Sequence, residues 1–154
     1  MANVLTTEDV RLKLVAQIES IMTGWKHARH VFSGVESQGA LIGDRTFDVR
    51  VGRSVPASSG RGGAERVTTG YVIRLRHTTP PKEGTKIHAL RAEDVRTVEV
   101  RIRDVGSHIP ADAEVRWIST APPAAAANGA FMDTDIEIQV DYWSAITGGV
   151  NGRR

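Results

Sequence analysis

The sequence predicts an α+β domain of order αββαββ: a four-stranded, mainly antiparallel sheet with two helices on one face. Three observations predict it. Between Thr79-Pro80-Pro81 and Val105-Gly106, the residues Ile87, Leu90, Asp94/Val95, Val98, Ile102 and Val105 fall at helical steps and form one apolar stripe. A second stripe of the same period, Val10, Leu14, Val15, Ile18, Ile21 and Met22, lies near the start of the chain. Four further segments carry one apolar face each, so both helices are expected on the same side of the sheet they share.

The first helix opens at Thr6-Thr7-Glu8-Asp9, where a Thr side chain can accept from free backbone N–H groups and the acids sit at the positive end of the helix dipole. Gly24 offers its left-handed stop. From Trp25 to Ala40 the pattern is weak: Trp25, Val31 and Phe32 are expected to be buried, and Gly34 and Gly39 to mark turns. Phe47, Val49 and Val51 then alternate with polar residues as the first strand.

Gly52 to Arg66 follows, containing Pro56-Ala57-Ser58-Ser59-Gly60-Arg61-Gly62-Gly63. This composition predicts a mobile loop over 52–66, longer than the usual hairpin connection and ordered against a partner. The second strand, Val67 to His77, sets Tyr71, Ile73 and Leu75 against Arg74 and Arg76. In the central helix two prolines suit the first turn and Gly106 the position past the end. Val98-Glu99-Val100-Arg101-Ile102-Arg103 also alternates like a strand. Helix is preferred because Val95 and Val105 keep the helical register and no turn signal separates Ala92 from Asp104. Glu114–Ser119 reads as the third strand, Asn128-Gly129 as a turn, and Ile136, Ile138, Val140 and Tyr142 as the core face of the fourth. Residues 1–146 thus form one domain, with 147–154 a flexible tail.

Composition narrows the function classes. The 154 residues suit a single core, and the absence of cysteine excludes disulfides and thiol chemistry. No apolar run approaches the roughly 20 residues of a membrane span. With 20 bases against 18 acids, charge alone does not argue for nucleic acid.

Asp133, Asp135, Glu137 and Asp141 share one face of the last strand and offer oxygen ligands for Mg²⁺ or Mn²⁺. The plainer reading is an ion-paired face, because Arg50, Arg74 and Arg76 occupy corresponding faces of other strands. His27 and His30 have the spacing of a zinc pair but lack a second pair close by, so no metal or other cofactor is assigned. No nucleophile motif or phosphate loop is present, and no catalytic residue is assigned. A sheet-face RNA binder needs exposed strand aromatics, whereas Phe47, Tyr71 and Tyr142 all fall on the core face. Arg91, Arg96, Arg101 and Arg103, interleaved with acids, read as a solvated helix surface.

The strand Tyr71–His77, the helix Ile87–Val95 and the closing strand Thr134–Tyr142, in αββαββ order, resemble the tail terminator (tail completion) proteins of long-tailed bacteriophages. The resemblance covers most of the chain from Val4 to Trp143, as an architecture and not as a catalytic signature. It implies a non-enzymatic virion protein, assembled in the host cytoplasm and placed at the head–tail junction. Identical copies would form a ring, as a hexamer, on the finished tube. One face would meet the major tail tube protein and the other the head-completion or connector protein, and genome DNA would pass through the lumen without sequence-specific binding. Arg50, Arg61, Arg74, Arg76, Asp135, Glu137 and Asp141 are the expected subunit-interface residues. Other readings are a different head–tail connector or minor tail subunit, a ferredoxin-like nucleic-acid-binding module, and a small metal-dependent enzyme built on the acidic strand.

Overall fold

A computed structural model describes residues 4–21, 25–27, 45–58, 63–78, 84–104, 113–126 and 131–145, and the fold is stated for these. Helix α1 spans Thr7–Ile21 and begins where the Thr-Glu-Asp pattern placed it. The Asp9 N–H donates to Thr6 Oγ1 (3.1 Å), while the Thr6 N–H and hydroxyl both donate to the Asp9 carboxylate (2.8 Å each). This is a reciprocal capping box with Asp in place of the usual Glu. The Thr6 backbone N–H, and after it the hydroxyl, holds the Asp9 carboxyl below its ordinary pKa.

The strands are β1 (Lys26–His27), β2 (Thr46–Ser58), β3 (Ala64–Thr78), β4 (Glu114–Thr120), β5 (Ala124–Ala126) and β6 (Phe131–Ala145). Helix α2, Gly84–Asp104, connects β3 to β4. The sheet runs β1-β2-β3-β6-β4, with β5 also on β6. Its four long strands, β2, β3, β6 and β4, are antiparallel throughout, giving the αββαββ fold; only the short β1 pairs in parallel, with Thr46 and Phe47 of β2. The centre is the β3–β6 ladder, which runs from Ala64↔Ala145 to Thr78↔Phe131 without a register shift.

A single hydrophobic cluster joins Val10, Leu14, Val15 and Ile18 of α1 and Val98 and Ile102 of α2 to the inward residues of the sheet. Those are Phe47 and Val49, then Val67, Tyr71, Ile73 and Leu75, then Ile136, Ile138, Val140 and Tyr142. Both helices therefore lie on one face, and each such side chain contributes about 1.5–3 kcal/mol on burial. The two buried tyrosines keep their hydroxyls satisfied: Tyr71 donates to the Thr7 carbonyl (2.9 Å), and Tyr142 shares a bond with Thr69 (2.9 Å). Burial first, and the adjacent Tyr142 second, push the Tyr71 phenol far above its ordinary pKa.

The segment with two readings, 97–104, is helical. A strand would bury Val100 along with Val98 and Ile102, yet Val100 is exposed while the other two, four residues apart, are buried. Of the loop expected over 52–66, residues 52–58 and 64–66 are corrected to strand: β2 continues through Ser58 and β3 starts at Ala64, with Ser54↔Thr69, Val55↔Thr68, Pro56↔Val67 and Ser58↔Arg66 paired, and 59–62 lie outside the described residues. Register shifts between Val51 and Ser54 and between Pro56 and Ser58 leave Gly52, Arg53 and Ala57 out of register, while Pro56, a residue that in isolation signals a break, stays paired with Val67. Gly52 suits the first shift, because a Cβ there would stand 3.0 Å from the Gly70 carbonyl oxygen, a tight approach. Ala124–Ala126, too short for a helix, is paired as β5. Val31, Phe32, Gly34, Gly39, the Asn128-Gly129 turn and the 147–154 tail lie outside the described residues.

Candidate functional site

On the sheet face away from the helices, the register sets Asp133 opposite Arg76, Asp135 opposite Arg74 and Asp141 opposite Thr68. Arg74 forks onto Asp135 through Nε (2.7 Å) and Nη2 (2.8 Å), and Arg76 onto Asp133 through the same two nitrogens (2.8 Å each). Asp141 accepts from the Thr68 hydroxyl (2.5 Å) and from Arg116 Nη2 of β4 (3.0 Å). The bond to Asp135 raises the Arg74 pKa above its ordinary value against the effect of burial. Arg76 also lies over the Phe131 ring, 5.0 Å from its centroid.

Of the expected interface residues, Arg74, Arg76, Asp135 and Asp141 are thus joined to partners inside one subunit. The physical reason is register: each arginine stands directly across a strand pair from an aspartate, so the shortest pairing is internal. Arg50 and Glu137 sit at exposed positions on the same sheet, and Arg61 lies outside the described residues. A shallow groove of ≈ 200 Å³ crosses this face where Gly52 and Gly70 carry no side chain, bordered by Arg53, Val55, Val72, Glu137 and Gln139.

A second constellation lies under α2. Asp94, 4% exposed, accepts from Arg45 Nε (3.1 Å) and Nη2 (2.7 Å) and from His77 Nε2 (2.8 Å). His77 projects inward from β3 and is buried, and with a carboxylate as acceptor its Nε2 carries the proton. Among the described residues its Nδ1 has no hydrogen-bond partner. Trp25 packs edge-on against His77 (centroids 5.3 Å apart) and under the Arg45 guanidinium at 5.9 Å. Arg45 holds a left-handed backbone, φ 67°, immediately before β2. A cleft of ≈ 270 Å³ opens beside the group, lined by Ile21, Trp25, Arg45, Leu90, Glu93, Asp94 and Thr97.

The chemistry of this group is structural. One carboxylate satisfies three donors and ties α2 to β3 and to the start of β2. Two signals in the sequence pointed to it: Asp94 falls on the apolar stripe of α2, and His77 follows Leu75 at the inward-facing period of β3. Arg45, distant in sequence and set by an unusual backbone angle, had no such signal.

His27 Nε2 meets Asp48 Oδ1 at 2.7 Å, with Arg11 Nη1 of α1 at 3.8 Å from the same oxygen, which places the histidine in an ion-paired strand edge. His30 lies outside the described residues. Among the described residues no three His, Cys, Asp or Glu side chains are grouped to hold a metal ion, and no helix is long and apolar enough to cross a membrane. No protein-family model matches the sequence, and a search of curated proteins finds no match.

Proposed function

We propose that this chain is a structural virion subunit of the tail terminator type. Copies of it form a ring, taken as a hexamer, that caps the completed phage tail tube and ends its polymerisation. The opposite ring face receives the head-completion or connector protein, and genome DNA passes through the lumen without base-specific contacts. The observation that carries the reading is the distribution of unsatisfied surface. The helices shield one face, the charges of the other are largely paired within the subunit, and among the described residues large apolar side chains, Leu12, Val55, Val100 and Ile118, are exposed. Exposed apolar side chains of this kind suit a head-to-tail contact between identical copies.

The strand aromatics Phe47, Tyr71 and Tyr142 are buried in the core and offer no stacking surface, while Phe131 and Trp143, partly exposed on the outer face, are covered by Arg76 and Arg66. The test is direct. Purified protein is added to polymerising tube protein, and tube lengths and ends are measured in negative stain. Shortened tubes with a ring at one end support the reading, and uncapped tubes of unchanged length with excess protein present refute it.

A further inference from the structure

Independently of the ring reading, we propose that the groove on the outer sheet face receives one aromatic side chain of a partner protein, presented beside a lysine or arginine of that partner. The groove, ≈ 200 Å³, lies where Gly52 of β2 and Gly70 of β3 meet at the register shift, and Arg53, Val55, Val72 and Glu137 stand around it. Arg53, Val55 and Glu137 are all exposed, so the groove faces solvent. Sites that enclose a free small molecule measure about 300–1,000 Å³. A smaller groove suits a single side chain carried on another polypeptide.

Gly70 is the residue that the fold itself does not explain. It stands within β3, which is bonded on one side to β2 and on the other to β6, and glycine inside a strand weakens it. Among the described glycines only Gly63 holds a left-handed backbone, so Gly70 is not there for its φ. A Cβ added at Gly70 would have one near neighbour, the Arg53 carbonyl oxygen at 3.8 Å, an ordinary contact. Gly52 differs, since its Cβ would stand 3.0 Å from the Gly70 carbonyl oxygen. The chain could therefore carry a side chain at position 70, and that side chain would fill the groove. A strand glycine of this kind marks the close approach of an outside group.

Charge and shape name the occupant. On this face Arg74, Arg76 and Arg116 are matched by Asp135, Asp133 and Asp141. The Arg53 and Glu137 side chains, by contrast, make no ion pair or hydrogen bond among the described residues. A flat ring laid across the two glycines covers their bare peptide groups, as aromatic residues do for glycine across a strand pair. Val55, 44% exposed, and Val72 give the ring apolar contact, and the Arg53 guanidinium is available to its face. Glu137 is then left as the acceptor for a cation next to the ring. Aromatic anchors with a charged neighbour are also the residue types that dominate interface binding.

The test uses the full chain and blocked tripeptides, read by saturation-transfer NMR, which works on a subunit or on a larger assembly. Lys-Trp-Lys should receive saturation at its indole protons, Lys-Ala-Lys should receive none, and Gly70→Val should abolish the indole signal. Gly70→Ala should melt no lower than the wild type, and a lower melting temperature would show that the fold needs the glycine, overturning the inference. Glu137→Lys, which leaves the groove's shape intact, should shift the preference from Lys-Trp-Lys toward Glu-Trp-Glu by a factor of up to about five, the range of one exposed ion pair. No shift would overturn the basic neighbour. An indole signal that survives in folded Gly70→Val would overturn the site. Free N-acetyltryptophanamide bound as strongly as the peptide would make the groove a small-molecule site and overturn the partner protein. Self-association of the wild type that weakens in Gly70→Val would name a second copy as the occupant and overturn it likewise.

Discussion

Replacing Asp94 with Ala tests how α2 is held to the sheet. The substitution removes the acceptor shared by His77, whose side chain is 1% exposed, and Arg45, whose side chain is 29% exposed. Hydrogen bonds to charged groups contribute about 1.5–3 kcal/mol each, and removing one partner of a buried pair costs about 3–5 kcal/mol because the other is left uncompensated. Water reaches Arg45 and lowers the cost there, whereas the His77 side chain is almost wholly buried. The strained backbone of Arg45, at φ 67°, also persists in the variant without the contact that offsets it. A loss near the lower end, about 3 kcal/mol, is expected. For a chain of this size that lowers Tm by about 6–12 °C, at roughly 2–4 °C per kcal/mol. Urea unfolding followed by circular dichroism should show a lower midpoint with an unchanged slope. As a reference, Arg74→Ala removes a pair whose acid, Asp135, has a 33% exposed side chain, so it should cost about 1 kcal/mol or less. A loss below about 1 kcal/mol for Asp94→Ala, or a larger loss for Arg74→Ala, would refute the assignment of Asp94 as the anchor of α2.

Three further outcomes are expected. Gly52→Ala should destabilise by about 1–3 kcal/mol, because the new Cβ meets the Gly70 carbonyl of a strand held on both sides; a neutral or stabilising change by chemical denaturation would show that β2 yields at its register shift. Thr6→Ala should cost about 1 kcal/mol by loss of the α1 cap, and in an NMR titration the Asp9 carboxyl should move up toward its ordinary value, since the hydroxyl is one of the two bonds that lower it. The sign for acid follows from a depressed folded pKa: the cap's contribution is full above the ordinary carboxylate value of about 3.9 and is lost as pH falls through the lower folded value, so Thr6→Ala should flatten that part of the acid unfolding curve.

The sequence carried the elements well where one period dominated. The stripe of α1, the Tyr71-Ile73-Leu75 and Ile136-Ile138-Val140 alternations and the shared helix face were legible because a buried face imposes its own spacing on the chain. The extent of the β2–β3 ladder was not. Gly52, Pro56 and Ser58 have poor strand propensity, and their pairing depends on β3, which is fixed independently by β6. Charge stripes were visible on the strands, but whether an arginine meets an aspartate inside the chain or on another copy is decided by register, which alternation alone does not provide. The Arg45–Asp94–His77 group required knowing that residues 49 and 17 apart in sequence converge under α2. The polar residues on two apolar faces were the trace that could have been followed.

The central claim, that identical copies complete one another through surfaces a single copy leaves open, is tested most directly by the mass of the wild-type protein across a concentration series, by multi-angle light scattering with negative-stain imaging of the same fractions. A closed species of fixed stoichiometry, six subunits on the ring reading, that appears as rings and also sits at the ends of tail tubes is the expected result. A single-subunit mass at every concentration, with no density added to tube ends, would contradict it.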